Sequence, residues 1–423
     1  MPDSFPSRTE LANRQLARLR ELYQAVLPTN QFYQGKLSSA PSDLNQFFNS
    51  VPFTTKPEIV RDQQSHPPFG SNLTFPLEQY TRCHQTSGTS GQPLRWLDTR
   101  ESWDWMVGNW QKILAVAGVT KSDRVFFAFS FGPFIGFWLA FEAAEKTGCI
   151  CLTGGGMSTS ARLRQILDLQ ATVLCCTPTY AIHLARTAVQ EGIDLARSAV
   201  KRILVAGEPG GSIPSTRQEI EKLWPGARVF DHHGMTEVGA VSFECPLRPT
   251  VLHIMEEAYL PEIIAPHSGE QVARGSEGEL VLTTLGRAGS PLLRYRTGDI
   301  VRSDEKTVCA CGRSDLALVG GILGRTDDMV VVRGVNVFPS AVDEIVRSCG
   351  GVSEYRVHVN QRGALAEVSV EIEPDPVTKS PDGLAKKLEG AFHDALALRV
   401  PVRLAAALPR FELKAKRWVR ETG

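Results

Sequence analysis

The chain has 423 residues, with 46 Lys plus Arg balanced by 46 Asp plus Glu and an apolar content of 42%. That length favours two or three domains over one core, and the balanced charge excludes a general pull toward nucleic acid or a membrane surface. Met1-Pro2-Asp3-Ser4-Phe5 lacks the basic-then-apolar order of a secretory leader, and no uninterrupted apolar run reaches the ~18 residues of a bilayer span, so a cytoplasmic protein is expected. Nine cysteines in so long a chain do not read as a disulfide framework. Cys149, Cys151, Cys175 and Cys176 lie in apolar runs and read as small core residues.

Apolar positions at Leu11, Leu16, Leu19, Leu22, Val26 and Leu27 predict a helix over 8–27, which Pro28 ends. Residues 28–80, rich in Pro, Ser, Asn and Phe, read as a wrap of short helices. A helix over 101–114 follows. Strand and helix then alternate: strand 124–130, helix 134–147, strand 149–153, helix 160–169, strand 172–176, helix 178–191, strand 202–206 and helix 215–223. This pattern predicts parallel strands clad by helices, with ligands bound beyond the carboxyl ends of the strands. Gly207-Glu208-Pro209 and Asp231-His232-His233-Gly234 fall at two such ends. From 241 to 301 short strands with turns predict a distorted antiparallel subdomain. After Gly324 strand 329–332, helix 340–348, strands 355–360 and 365–373, helix 383–398 and strand 402–406 predict a small α+β module.

One stretch stands out within this frame, Gln85-Thr86-Ser87-Gly88-Thr89-Ser90-Gly91-Gln92-Pro93. Glycine allows positive φ and close ligand approach, and successive amides and hydroxyls form a donor surface for phosphate. The Lys of GxxxxGK[ST] is missing, which excludes that type of nucleotide loop. A plain Ser/Gly surface turn is the alternative.

Further along come Asp231-His232-His233-Gly234-Met235-Thr236-Glu237, Tyr295-Arg296-Thr297-Gly298-Asp299, Gly324-Arg325-Thr326-Asp327-Asp328 and Pro409-Arg410-Phe411-Glu412-Leu413-Lys414-Ala415-Lys416-Arg417. In this order the segments resemble the core motifs of the acyl-adenylate-forming superfamily of acyl-CoA synthetases, peptide-synthetase adenylation domains and luciferases. Ser42-Asp43-Leu44, Val51-Pro52-Phe53-Thr54-Thr55-Lys56 and Cys309-Ala310-Cys311-Gly312-Arg313 make the phenylacetate–coenzyme A ligase family the most similar. The resemblance spans roughly residues 30–417. It implies a large N-terminal domain (1–323) of helix-clad parallel sheets with a distorted antiparallel subdomain. A small mobile α+β C-terminal domain (324–423) would swing about a hinge near Asp327.

The implied reaction is attack of a carboxylate on the α-phosphate of ATP, with release of pyrophosphate, then transfer of the acyl group to CoA with release of AMP. Two anions must meet, so the site needs cations and donors around phosphorus. Thr86, Ser87, Gly88, Thr89, Ser90 and Gly91 would clamp the β- and γ-phosphates. Glu237, beside Thr236, would hold Mg2+, a hard cation that prefers carboxylate oxygen. Asp299 would accept the ribose hydroxyls, with Arg325 on the ribose or phosphate. Lys414 would bridge carboxylate and α-phosphate, although Leu413 stands where the family has Gly. Gly334 would let pantetheine pass the backbone. His233 replaces the family's usual Tyr and would still stack on adenine, while His232 reads either as packing or as a substrate contact.

The acid pocket is expected between Phe131–Phe137 and Ala206–Glu208. Rings separated by glycines form a flat apolar slot, which with the resemblance favours an aryl or arylacetic acid. Cys245, His253, Cys309 and Cys311 offer four ligands for a structural Zn2+, with Cys-x-Cys-Gly as one half-site. Some family members carry zinc at matching positions, and free thiols are the alternative. Alternative functions are loading an acyl carrier protein in place of CoA, or a non-enzymatic nucleotide-binding descendant. The identity of the acid and the assembly state, including a homodimer, are left open.

Overall fold

The computed structural model describes residues 5–86, 93–326, 328, 330–332, 335–362, 365–410 and 417–422. The chain starts on helix α1 (Arg8–Val26), opened by a reciprocal cap between Ser7 and Glu10. Its inner face, with Leu11, Leu19, Leu22 and Tyr23, is buried. Short helices α2 (Gln31–Gln34), α3 (Leu44–Ser50) and α4 (Lys56–Ser65) follow, as the composition of 28–80 predicts. A hairpin of β1 (Tyr80–Gln85) and β2 (Arg95–Thr99) then brackets the Ser/Gly stretch and runs directly into α5 (Arg100–Val116).

The alternating segment folds into β3 (Arg124–Phe127), α6 (Ile135–Thr147), β4 (Ile150–Thr153), α7 (Thr159–Asp168), β5 (Val173–Cys176), α8 (Pro178–Gln190), β6 (Arg202–Val205), α9 (Pro214–Leu223) and β7 (Arg228–Asp231). Its five strands form one parallel sheet in the order β4-β3-β5-β6-β7. Successive side chains of a strand point to opposite faces, and the two cores divide accordingly. Val125, Phe127, Val173, Cys175 and Leu204 join the core on one face, and Phe126, Leu174, Cys176, Ile203 and Val205 the other. Cys175 and Cys176 are therefore core residues, as expected, and burial pushes both thiols up.

Beyond β7 the chain forms a small ladder of β8 (Gly234–Met235) and β9 (Gly239–Ala240), then β10 (Ser242–Cys245), β11 (Arg248–Ile254), β12 (Tyr259–Ile264), β13 (Glu277–Thr284), β14 (Tyr295–Ser303) and β15 (Ala317–Arg325). The last six make an antiparallel sheet ordered β10-β11-β15-β14-β13-β12. Bulges between Glu279 and Val281 and along Ile300–Ser303 give the distortion that the sequence predicts.

The C-terminal module has its own core, from Val330 to Val400. It comprises β16 (Val330–Val332), β17 (Val335–Val337), α10 (Pro339–Cys349), β18 (Val352–Arg362), β19 (Leu365–Pro374), α11 (Pro381–Leu396), β20 (Val402–Leu404) and β21 (Trp418–Thr422). β18 and β19 form a long antiparallel hairpin, with β20 and β21 added in parallel at its two edges. Among the described residues no helix is long and apolar enough to cross a membrane.

Candidate active site at the carboxyl ends of the parallel strands

β6 ends at Val205, and just beyond it Gly207, with a φ of +91°, turns the chain where a side chain would be strained. Glu208 folds back over the start of α8, accepting hydrogen bonds from the Thr179 backbone N–H at 2.9 Å and from the Thr179 hydroxyl. Pro209 follows, and then Gly211 lies so close to Asp231 that an added Cβ would sit 2.4 Å from its carboxyl carbon. Asp231, at the end of β7, accepts a hydrogen bond from Ser212 Oγ at 2.6 Å. Burial, with the charge of Glu244 adding to it, raises its carboxyl to about 7.

The next two residues diverge. His232 is buried against Trp110, ring edge to face at 4.4 Å, and burial pushes its imidazole down to about 3, so it is neutral. His233 turns toward Asp299, its Nε2 3.0 Å from Oδ2, at ion-pair distance but off the line of a well-directed hydrogen bond. Gly234 packs against the next turn, where a Cβ would meet the Gly239 carbonyl at 2.7 Å, and Met235 pairs with Gly239.

Asp299 comes from the antiparallel sheet. Gly298 (φ +78°) precedes it, and the register of β14 on β15 sets Asp299 directly opposite Arg325. The Arg325 guanidinium donates to Oδ1 at 2.9 Å. Burial pushes the Asp299 carboxyl up, but the His233 ring and the Arg325 charge outweigh it and hold the group below the usual carboxylate range. An ionised, buried carboxylate at the rim of the parallel sheet is equipped to accept hydroxyl donors.

Glu237 is buried as well. The sequence did not single out what holds it. Arg287 and Asp98, each with a fully buried side chain, form a two-pronged pair at 2.7 Å on both prongs. The remaining donor of Arg287 takes the backbone carbonyls of Thr236 at 2.9 Å and Glu237 at 2.7 Å. Asp98 lies on β2, so this pair ties the Thr-Glu segment to the strand leaving the Ser/Gly stretch. At the base of that stretch Thr86 is paired twice with Leu94, through N–H to carbonyl at 2.9 Å and hydroxyl from N–H at 3.0 Å. Ser87, Gly88, Thr89, Ser90 and Gly91 lie outside the described residues, as do Asp327, Gly334 and Lys414.

The ring-rich segment packs half-buried aromatics around the buried Phe129. Phe129 stacks on Phe137 at 4.2 Å, Phe131 meets Phe141 edge-on at 5.5 Å, and Trp138 Nε1 donates to the Gly132 carbonyl at 2.9 Å.

A second assembly lies at the other end of the antiparallel sheet. The β10–β11 hairpin carries Cys245 and His253, and the loop from β14 to β15 carries Cys309 and Cys311. Their ligand atoms all fall within 4.8 Å of one another. Cys245 and Cys309 sulfurs are 3.7 Å apart, and Cys311 Sγ is 3.4 Å from His253 Nε2. Burial pushes the His253 imidazole down to about 4. Both segments belong to the one antiparallel sheet, the hairpin at its β10 edge and the loop between its β14 and β15 strands.

A family model of AMP-binding enzymes matches residues 84–287, and one of the AMP-binding enzyme C-terminal domain matches 334–421. The phenylacetate-coenzyme A ligase of Escherichia coli K12 is 32% identical over 385 residues, covering 88% of this chain and 84% of the relative. A 2-hydroxyisobutyryl-CoA ligase in the postadenylation state with its acyl-AMP superposes with a TM-score of 0.93 at 25% identity, covering 99% of this chain and 91% of that one. With CoA in the thioesterification state the same ligase gives 0.74 over the same shares. The chain belongs to the phenylacetate–coenzyme A ligase family of AMP-binding enzymes.

Proposed function

We propose that this chain joins an aryl or arylacetic acid to CoA, through an acyl adenylate made from ATP. ATP-dependent acid–CoA ligation by way of an adenylate is the family's chemistry and this chain's activity. The observation that carries the site assignment is the Asp299–Arg325 pair, aligned across two strands and faced by His233. In this reading the ribose hydroxyls donate to the ionised Asp299, and Arg325 stays on its far oxygen or turns to the phosphate. The segment from Thr86 to Gly91 receives the β- and γ-phosphates. Lys414 supplies positive charge between the attacking carboxylate and the α-phosphate. Gly334 lines the pantetheine path, and the module beyond residue 323 pivots near Asp327. His233 stacks on the base, while Gly207, Glu208, Pro209, Asp231, His232, Gly234 and Met235 shape the surrounding floor.

The Glu237 carboxylate and Thr236 hydroxyl are the oxygen donors that suit Mg2+, and Arg287 fixes the backbone of both. A bound Mg2+ would neutralise charge on the phosphates. The aromatic cluster of Phe129, Phe131 and Phe137 supports a flat acid. For the cysteine cluster, tetrahedral zinc would space two sulfurs by ~3.8 Å and sulfur from nitrogen by ~3.5 Å. The separations of 3.7 and 3.4 Å fit this donor set, with no open coordination position, so the metal would be structural.

A pyrophosphate-release assay over a panel of aryl, arylacetic and aliphatic acids, with CoA or an acyl carrier protein as acceptor, tests the proposal. The expected result is turnover with aryl or arylacetic acids and CoA. Preference for aliphatic acids overturns the substrate class, transfer only to the carrier protein overturns the acceptor, and the absence of any adenylation overturns the activity.

A further inference from the structure

The C-terminal module meets the N-terminal region along α9 and α10 through charged groups that are partly buried. Asp343, on α10, is central. Within its own module it accepts Tyr355 OH at 2.8 Å and Arg347 Nε at 3.0 Å, and Arg417 lies at 3.7 Å. Its other oxygen accepts Thr216 Oγ1 of α9, at 2.7 Å across the interface. One turn further along α9, Glu219 bridges the modules. It takes Arg186 of α8 at 2.8 Å and Arg347 of α10 at 2.8 Å. Arg186 also donates to the backbone carbonyls of Ser353 and Val352. At the start of α9, Ser215 donates through N–H (3.2 Å) and Oγ (2.8 Å) to Glu344 of α10, so a carboxylate from one module sits at a helix N-terminus of the other.

Interfaces between domains of one chain resemble transient ones and are more polar than permanent interfaces, so relative motion is their default. Here Thr216 reaches Asp343, already fixed by three groups of its own module, so it meets an acceptor that needs no ordering on docking, and Glu219 reaches Arg347, one of those three groups. Partly buried pairs are also screened less than exposed ones. The arrangement they hold superposes on the postadenylation state of the 2-hydroxyisobutyryl-CoA ligase at 0.93 and on its thioesterification state at 0.74.

We infer that Thr216 and Glu219 are positioning residues: they latch the C-terminal module in the arrangement that makes the adenylate, and the latch must open before CoA is acylated. This rests on the ligase reading above. Both residues lie on α9, outside the module that swings. Thr216→Val keeps the side-chain shape and leaves Asp343 with Tyr355, Arg347 and Arg417, so the module's interior stays paired. Glu219→Gln removes the charge of the bridge.

The experiment compares wild type, Thr216→Val, Glu219→Gln and the double variant. Fluorophores on non-natural residues at the exposed Val189 and Val377 report the distance between modules. The two half-reactions are followed separately, as pyrophosphate exchange and as thioester formation from supplied acyl adenylate and CoA. The double variant should move the latched population down about tenfold, equivalent to ~1.4 kcal/mol. Adenylation should fall by a similar factor, while thioester formation is kept or rises. An unchanged distance distribution with unchanged half-reactions overturns the latch, as does parallel loss of both halves at a wild-type melting temperature. If the variants melt early, Arg186→Gln replaces them and must show the same split. Should wild type adenylate no acid, the ligase reading fails, and the distance measurement still decides the latch.

Discussion

Replacing Arg287 with Met removes a guanidinium that lies wholly inside the protein and makes four hydrogen bonds. It gives two hydrogen bonds to Asp98 at 2.7 Å and two to the carbonyls of Thr236 and Glu237 at 2.9 and 2.7 Å. Methionine fills much of the same volume, so the cavity contribution is small. The large effect is on Asp98, whose side chain has no exposure and would lose its counter-ion. Breaking one partner of such a pair costs about 3–5 kcal/mol. For a domain of this size that is roughly a 10 °C fall in melting temperature. The two carbonyls lose their donor as well, and the Thr236–Glu237 backbone loses its anchor. A double variant, Asp98→Leu with Arg287→Met, separates the two effects. Replacing both charges by apolar groups is often neutral or stabilising, so most of the stability should return. The carbonyls are still unpaired, and adenylation should stay depressed. Thermal melts with pyrophosphate release on all four proteins of the cycle measure both quantities. If Arg287→Met melts within about 1 kcal/mol of wild type, or if the double variant recovers full turnover, the reasoning is wrong.

Lys414→Ala should slow adenylation by roughly 100- to 1000-fold, the range for removing one charge-stabilising group, with thioester formation from pre-made adenylate intact; equal loss of both halves would refute the assignment. Asp231→Asn should flatten a pH dependence of stability. With its folded carboxyl at about 7 against an ordinary 3.8, Asp231 stabilises below pH ~4 and loses that contribution as pH rises through about 7, an effect of at most ~4 kcal/mol. Denaturant melts from pH 5 to 8 should therefore show the variant gaining on wild type as pH rises, and parallel curves would count against it. Cys309→Ser with Cys311→Ser should remove zinc and lower the melting temperature, weakening turnover only indirectly; elemental analysis of wild type finding well under one zinc per chain rejects the site.

The parts of the fold that sequence reveals are those with local periodicity. Each strand and helix from Arg124 to Leu223 was readable because burial on both faces writes a short apolar run and amphipathic helices write the intervals. The errors are local in cause. β3 stops at Phe127, earlier than expected, because the chain makes one more bond, from Ala128 to Cys175, and then turns away. β1 and β2 escaped notice because Tyr80–Gln85 mixes Arg, Cys and His without alternation and carries a bulge. β15 was hidden by Gly320 and Gly321 at φ of +80° and +66°. β21 pairs in parallel with a strand about sixty residues earlier, and nothing in its own residues announces that partner. The site divides the same way. Motif residues stood out because their spacing is short, whereas Arg287 acts through Asp98, 189 positions away. The contact of His233 with Asp299 likewise exists only once two sheets meet.

If Asp299 and Arg325 hold the ribose as proposed, the pairing of β14 with β15 makes strand alignment the property on which nucleotide handling hangs. Asp299 meets Arg325 only in the observed register, and two bulges, at Ile300–Val301 and Val301–Ser303, set the count between that pair and Ser303 opposite Leu318. Slippage by one residue turns every side chain of a strand to its other face. A slipped sheet would carry Arg325 away from the carboxylate and would also turn the buried Val301 and Leu318 out of the core. The loop joining these two strands carries Cys309 and Cys311, so whatever fixes that loop also sets how the strands are threaded past each other. Loosening that loop should therefore lower nucleotide binding and the melting temperature together, because one register serves both.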